Sequence, residues 1–103
     1  MNFQRISVEE AKFKFFNVDG SPIDAVKILD IRDEGSFKEG HINNARHIDN
    51  TNFMELLQGI EFDEPIIIYC YHGITSQGIA AHVADQGFEE VYSLDGGYEA
   101  WIN

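Results

Sequence analysis

Residues 66–76 read Ile66-Ile67-Ile68-Tyr69-Cys70-Tyr71-His72-Gly73-Ile74-Thr75-Ser76. The run Ile66 to Cys70 is short, apolar and largely β-branched, which suits a strand covered on both faces by helices. A glycine-bearing turn follows, and then Ser76 to Gln86 carries Ile79, Ala80, Val83 and Ala84 at helical spacing, with Gly87 as the stop. Strand, tight loop and helix in that order are the unit of a parallel α/β sheet.

The rest of the chain repeats the alternation. Val26 to Ile31 predicts a second central strand, and Phe3 to Ile6, Ala45 to Ile48 and Val91 to Leu94 predict three more. Ser7 and Glu10 have the spacing of a capping box, opening a helix that buries Val8, Ala11, Phe15 and Phe16. Asp33 to Glu39 predicts a short helix stopped by Gly40. Asn50 to Gln58 predicts another, with Phe53, Leu56 and Leu57 inward and Gly59 ending it in a left-handed turn. Asn17 to Asp24 is the loosest stretch, Asp95-Gly96-Gly97 is a turn, and Tyr98 to Trp101 start a terminal helix. The expected fold is a doubly wound α/β domain with a five-stranded, mainly parallel sheet flanked by helices on both faces.

The 103 residues fit one domain, 1–103, of ordinary globular composition. The longest apolar run, Ile66 to Tyr71, is far short of the roughly 20 residues of a membrane span. No basic and apolar leader is visible at the start, so a cytoplasmic address is expected. The formal net charge is -11, and every Lys and Arg lies at or before Arg46. Such a chain repels nucleic acid and anionic membranes, and an anionic substrate must find positive potential locally.

Cys70 is the single cysteine, which excludes a disulfide and any metal site built from several thiolates. On residue type alone it reads as a buried core thiol. Its place does not, because ligands of open α/β sheets sit beyond the carboxyl ends of the strands. There the loop's N–H groups and the helix N-terminus, with about half a positive charge, favour thiolate over thiol. His72 reads equally as a general base or oxyanion donor and as a solvated loop histidine. His41, His47 and His82 lack metal-ligand spacing and read as structural or exposed. Asp30 and Arg32 end another central strand and can form an ion pair that shapes the same rim. Tyr98 and Trp101 read as core or lid aromatics.

Asp30-Ile31-Arg32-Asp33, with Phe37, Gly40-His41-Ile42 and Ala45, resembles the first signature of the rhodanese family. Val91-Tyr92-Ser93-Leu94-Asp95-Gly96-Gly97-Tyr98-Glu99-Ala100-Trp101 resembles the second, and Cys70 lies between them as that family's active cysteine does. Cys70-Tyr71-His72-Gly73 is similar to the short, single-domain thiosulfate sulfurtransferases of the GlpE type. The resemblance implies that Cys70 takes the outer sulfur of thiosulfate as a persulfide, releasing sulfite. The backbone N–H groups of Tyr71, His72, Gly73, Ile74, Thr75 and Ser76 would stabilise the terminal sulfur. Cyanide, a thiol or a dithiol acceptor such as thioredoxin would then accept it, with no metal or organic cofactor. A loop of six positions, Cys70 to Thr75, goes with sulfur transfer in this family, whereas the related phosphatases use seven ending in arginine. The departure is Ile74, where such proteins typically carry asparagine; Thr75 stands where they tend to have serine. The competing class is a persulfide-relay or docking module without turnover of free thiosulfate, which Ile74 and the acidic surface favour.

Overall fold

The computed structural model describes residues 3–103. Its strands are β1 (Gln4–Ile6), β2 (Lys27–Asp30), β3 (Arg46–His47), β4 (Ile66–Tyr69) and β5 (Val91–Leu94). They form one sheet in the order β1-β5-β4-β2-β3, parallel at every pairing. The helices are α1 (Val8–Phe15), α2 (Glu34–Glu39), α3 (Phe53–Gln58), α4 (Thr75–Asp85) and α5 (Gly97–Ile102). All five expected strands and all five helices are present, each within a few residues of its predicted bounds; Met1 and Asn2 of the expected leader-free start lie outside the described residues.

Alternation along the strands builds two cores. Ile28, Ile67, Tyr69, Tyr92 and Leu94 join Ala11, Phe15 and Ile42 on one face, with Phe37, Tyr98 and Trp101 packed against them. Leu29, Ile66, Ile68 and Val91 meet Leu57, Ala80 and Val83 on the other. The first face therefore carries α1, α2 and α5, and the second carries α3 and α4, so β2, β4 and β5 are apolar on both sides as the sequence requires. Trp101 is partly buried against the first core, its ring tilted on that of Phe16 with centres 5.0 Å apart. No helix among the described residues is long and apolar enough to cross a membrane.

Local chemistry sets the helix ends. Ser7 Oγ accepts from Glu10 N–H at 3.0 Å, and an Asp33 carboxylate oxygen accepts from Ser36 N–H at 3.1 Å. Caps of this kind contribute about 1 kcal/mol each. Gly40 ends α2 in an extended conformation, φ 170°, so space is what it supplies: a Cβ there would lie 2.9 Å from Tyr98 Oη. The left-handed ending expected at Gly59 does not occur. Its φ is -88°, and its N–H bonds back to Leu56 O at 3.1 Å, so the chain leaves α3 in a right-handed turn that any residue can adopt. The start expected at Asn50 also moves to Phe53, because Asp49 Oδ1 gathers the N–H groups of Thr51 and Asn52 into a side-chain-stabilised turn.

Candidate active site

β4 ends at Tyr69, and Cys70 is the first residue beyond it, between the ends of β2 and β5. The thiol is buried. Sγ accepts the N–H of Gly73 at 3.1 Å and that of Ser76 at 3.4 Å, and Ser76 Oγ stands 3.4 Å away. Ile74 occupies the N-cap position of α4 without a capping side chain. The sulfur takes that part, receiving a first-turn N–H as a Ser or Asp oxygen would elsewhere.

Burial opposes ionisation of Cys70. The Ser76 hydroxyl and the N–H groups of Ser76, Gly73 and His72 together outweigh it, and the thiol is held below its ordinary range. Ser76 Oγ lies 2.8 Å from Ser93 Oγ, both fully buried. When Cys70 ionises, Ser76 is the donor to Sγ and Ser93 the donor to Ser76, a two-hydroxyl relay ending on the sulfur.

The turn after β5 holds the loop from outside. Tyr98 N–H donates to Cys70 O at 2.9 Å, and Glu99 N–H donates to Tyr71 O at 3.1 Å. These carbonyls face α5, while the N–H of His72 faces the sulfur. Gly97, at φ +60°, permits the approach, since a Cβ there would lie 2.5 Å from Cys70 O and from Tyr71 O. Gly73, at φ +88°, is pressed in the same way against Gly96 N, 2.6 Å from where its Cβ would stand.

Asp30 and Arg32 form the expected ion pair, but beneath the loop and closed to solvent. Arg32 Nη2 reaches Asp30 Oδ2 at 2.7 Å and Gly40 O at 2.7 Å. Its guanidinium lies 4.1 Å from the Tyr98 ring centre and 5.5 Å from that of Tyr71. The pair supports the loop through these aromatics, its charge already balanced. Tyr69 Oη accepts Ile42 N–H at 3.2 Å, and burial together with Asp30 pushes its phenol well above the usual range.

His72 is exposed, with Nδ1 2.8 Å from Glu99 Oε1. Tyr71 and Thr75 are exposed, and Ile74 is 75% exposed. His47 holds Arg32 O at 2.5 Å and His41 stacks on Phe37 at 3.8 Å, both structural; His82 lies 5.8 Å from the Phe53 ring. Among the described residues no group of three or more His, Cys, Asp and Glu side chains could hold a metal ion. Ser93, Glu99 and Gly97 are the contributors that sequence reading did not assign to the site. Only Ser93 left a signal, as a hydroxyl in the otherwise apolar strand Val91 to Leu94.

A wholly parallel sheet thus presents one cysteine, polarised by backbone dipoles, between a strand end and a helix start. A family model for the rhodanese-like domain matches residues 17–103. Proteins called thiosulfate sulfurtransferase GlpE are similar: that of Vibrio cholerae is 51% identical over 72% of this chain and 70% of its own, and that of Pseudomonas aeruginosa 43% identical over 96% and 84%. A rhodanese-like domain protein from Staphylococcus aureus superposes with a TM-score of 0.77 at 25% identity, covering 96% of this chain and 91% of its own. The chain belongs to the rhodanese-like family.

Proposed function

We propose that this chain is a thiosulfate sulfurtransferase working through a Cys70 persulfide. The observation that carries the reading is the set of donors on one sulfur: N–H groups of His72 and Gly73 in the loop, and the N–H and hydroxyl of Ser76 in the first turn of α4. The similarity to the thiosulfate sulfurtransferases of Vibrio cholerae and Pseudomonas aeruginosa supports the choice of donor. The Cys70 thiolate attacks the outer sulfur of thiosulfate. A bond from Sγ to that sulfur forms, the sulfur–sulfur bond of thiosulfate breaks, and sulfite leaves with the electron pair. The terminal sulfur then carries the negative charge, and the preorganised loop dipoles stabilise it with little rearrangement. Cyanide or a thiol, including one of a reduced dithiol, removes the outer sulfur and returns the pair to Sγ. With one cysteine in the chain, no internal thiol can resolve the persulfide, so turnover requires an external acceptor. A lone thiol that must stay reduced suits a cytoplasmic setting.

The test is one incubation with thiosulfate and no acceptor. One equivalent of sulfite and one cyanide-releasable sulfur per chain are expected, and neither from Cys70→Ser. Sulfite release by that variant would overturn the mechanism. A wild-type protein that forms no persulfide from thiosulfate but accepts sulfur from a protein persulfide would be a relay module instead, which the exposed Ile74 favours.

A further inference from the structure

A largely apolar pocket of about 190 Å³ lies beside the Cys70 loop, lined by Ile31, Ile48, Phe53 and Ile79 together with Asp49, Asn50 and Thr75. Two of these residues border the sulfur's own surroundings. Thr75 immediately precedes Ser76, whose N–H and hydroxyl face Sγ. Ile31 N–H donates to Tyr69 O at 3.1 Å, next to Cys70. The neighbouring loop surface is apolar too, through exposed Ile74 and Tyr71.

The lining selects against ions. No Lys or Arg borders the pocket, and its one charged residue is Asp49. Asp49 Oδ1 accepts from Thr51 N–H at 2.8 Å, Thr51 Oγ at 2.6 Å and Asn52 N–H at 3.2 Å, so its carboxylate serves the turn and leaves a negative charge at the wall. Thiosulfate or sulfite gains nothing there. The volume suits one organic group, since a cavity of about 150 Å³ lined by Leu, Ile and Phe accommodates benzene.

We infer that this pocket seats the organic group of a thiol acceptor, so that sulfur passes preferentially to small thiols bearing an uncharged, apolar substituent of about ring size. The inference rests on the Cys70 persulfide proposed above. The acceptor thiol gives its proton to the terminal sulfur of the Cys70 persulfide anion, and the thiolate so formed attacks that sulfur. The new bond joins the two attacking and accepting sulfurs, the bond to Sγ breaks, and its electron pair returns to Cys70 as thiolate. The product is the acceptor's persulfide, and no further oxidant or reductant enters. Burial of the substituent against Ile48, Phe53 and Ile79 holds the thiolate at the loop and raises its effective concentration.

The experiment separates this step from loading. Persulfidated protein is prepared once with thiosulfate and once with inorganic polysulfide, and cyanide-releasable sulfur confirms the load. Single-turnover rates are then compared for phenylmethanethiol and 2-mercaptoethanol, thiols of similar acidity. The expected second-order rate constant is at least tenfold greater for phenylmethanethiol, saturating with concentration, and the ratio collapses towards one in both Ile79→Ser and Ile79→Trp. The first variant makes the wall polar and the second fills the pocket, so loss of fold in one leaves the other. Equal rates on fully loaded wild type, or a ratio unchanged in a folded Ile79→Trp, would overturn the inference. Loading by polysulfide but not by thiosulfate, with the preference intact, would remove the thiosulfate reading and leave this one standing. A Cys70 that takes sulfur from neither donor would remove both.

Discussion

Ser76→Ala isolates the hydroxyl that ends on the sulfur. It removes the Oγ that stands 3.4 Å from Sγ, and it keeps the N–H groups of Gly73 and Ser76. A hydrogen bond to a charged group contributes about 1.5–3 kcal/mol, and at this length the lower figure applies. Cys70 should therefore titrate higher in the variant, because the hydroxyl favours the charged form. The assay is the second-order rate of alkylation by iodoacetamide across pH. Below both pKa values the thiolate fraction falls by more than the more basic sulfur gains in intrinsic nucleophilicity, so the variant reacts more slowly. Above both pKa values the order reverses and the variant reacts faster. Ser93 loses its buried partner, 2.8 Å away, which costs about 1–3 kcal/mol of stability. The double variant Ser76→Ala/Ser93→Ala should recover most of that stability, because no hydroxyl is left unpaired, and none of the pKa. The sign for folding follows from the same shift. Cys70 is depressed in the folded protein, so between its folded pKa and the unfolded value of about 8.5 the unfolded chain binds more protons. Stability therefore rises with pH through that window and is lost as pH falls through the folded pKa; Ser76→Ala should flatten the rise. An alkylation midpoint unmoved by Ser76→Ala would refute the hydroxyl's part in stabilising the thiolate.

Gly97→Ala should lower stability by about 2 kcal/mol or more, since φ is +60° and the new Cβ would lie 2.5 Å from two loop carbonyls. A fall in Tm of roughly 10 °C, with loss of sulfur transfer, would be seen by melting and sulfite assay; a wild-type melt would show that α5 does not press on the loop. Ile74→Asn should change stability by less than about 0.5 kcal/mol, because the side chain is 75% exposed. It should lower KM for thiosulfate more than it alters kcat, and the opposite split in steady-state kinetics would exclude added uniform binding. Inert salt raised from 0.01 to 0.1 M shortens the Debye length from about 30 to about 10 Å. For a chain of net charge -11, kcat/KM for thiosulfate should rise across that range, whereas a steady fall would mean that a cation steers the donor to the loop.

How far the sequence discloses the molecule depends on whether the deciding contact is local. Val26 to Ile31 and Ile66 to Cys70 announce central strands because both faces must be apolar, yet that same uniformity hides which residue faces which core. Only pairing in the sheet puts Ile67 and Tyr69 on one side and Ile66 and Ile68 on the other. Ser7 and Asp33 mark helix starts legibly because their oxygens cap N–H groups three residues on. α4 begins at Thr75, one residue before its predicted start, behind an isoleucine that caps nothing; the sulfur of Cys70 takes that role through a turn of backbone. Glu99 lies 27 positions from His72, and Ser93 lies 17 from Ser76, beyond any spacing rule. The pair Asp30 and Arg32 was legible as an ion pair. Its burial under Tyr71 and Tyr98 was not, since those rings arrive from the loop and from α5.

The peptide joining Tyr71 to His72 shows how the second signature bears on the Cys70 loop. Its N–H favours the Cys70 thiolate, while its carbonyl accepts from Glu99 N–H at 3.1 Å on the opposite side. Were that peptide to turn over, its carbonyl oxygen would replace its N–H beside the anion and oppose the ionisation it now assists. The bonds from Tyr98 and Glu99 to the carbonyls of Cys70 and Tyr71 resist that rotation, and Gly97 makes them geometrically possible. Gly73 O is held by Gln77 Nε2 at 2.9 Å, which restrains the far end of the loop in the same way. With Arg32 balanced by Asp30, these oriented peptides and the Ser76 hydroxyl are what favour ionisation of Cys70 in an acidic chain. Their field is that of dipoles and fades within a few ångströms, whereas the repulsion from 18 carboxylates extends to the Debye length. A dianionic donor is therefore opposed at a distance and favoured only on contact, but an uncharged thiol approaching the pocket beside Ile79 meets no such barrier until it ionises at the loop.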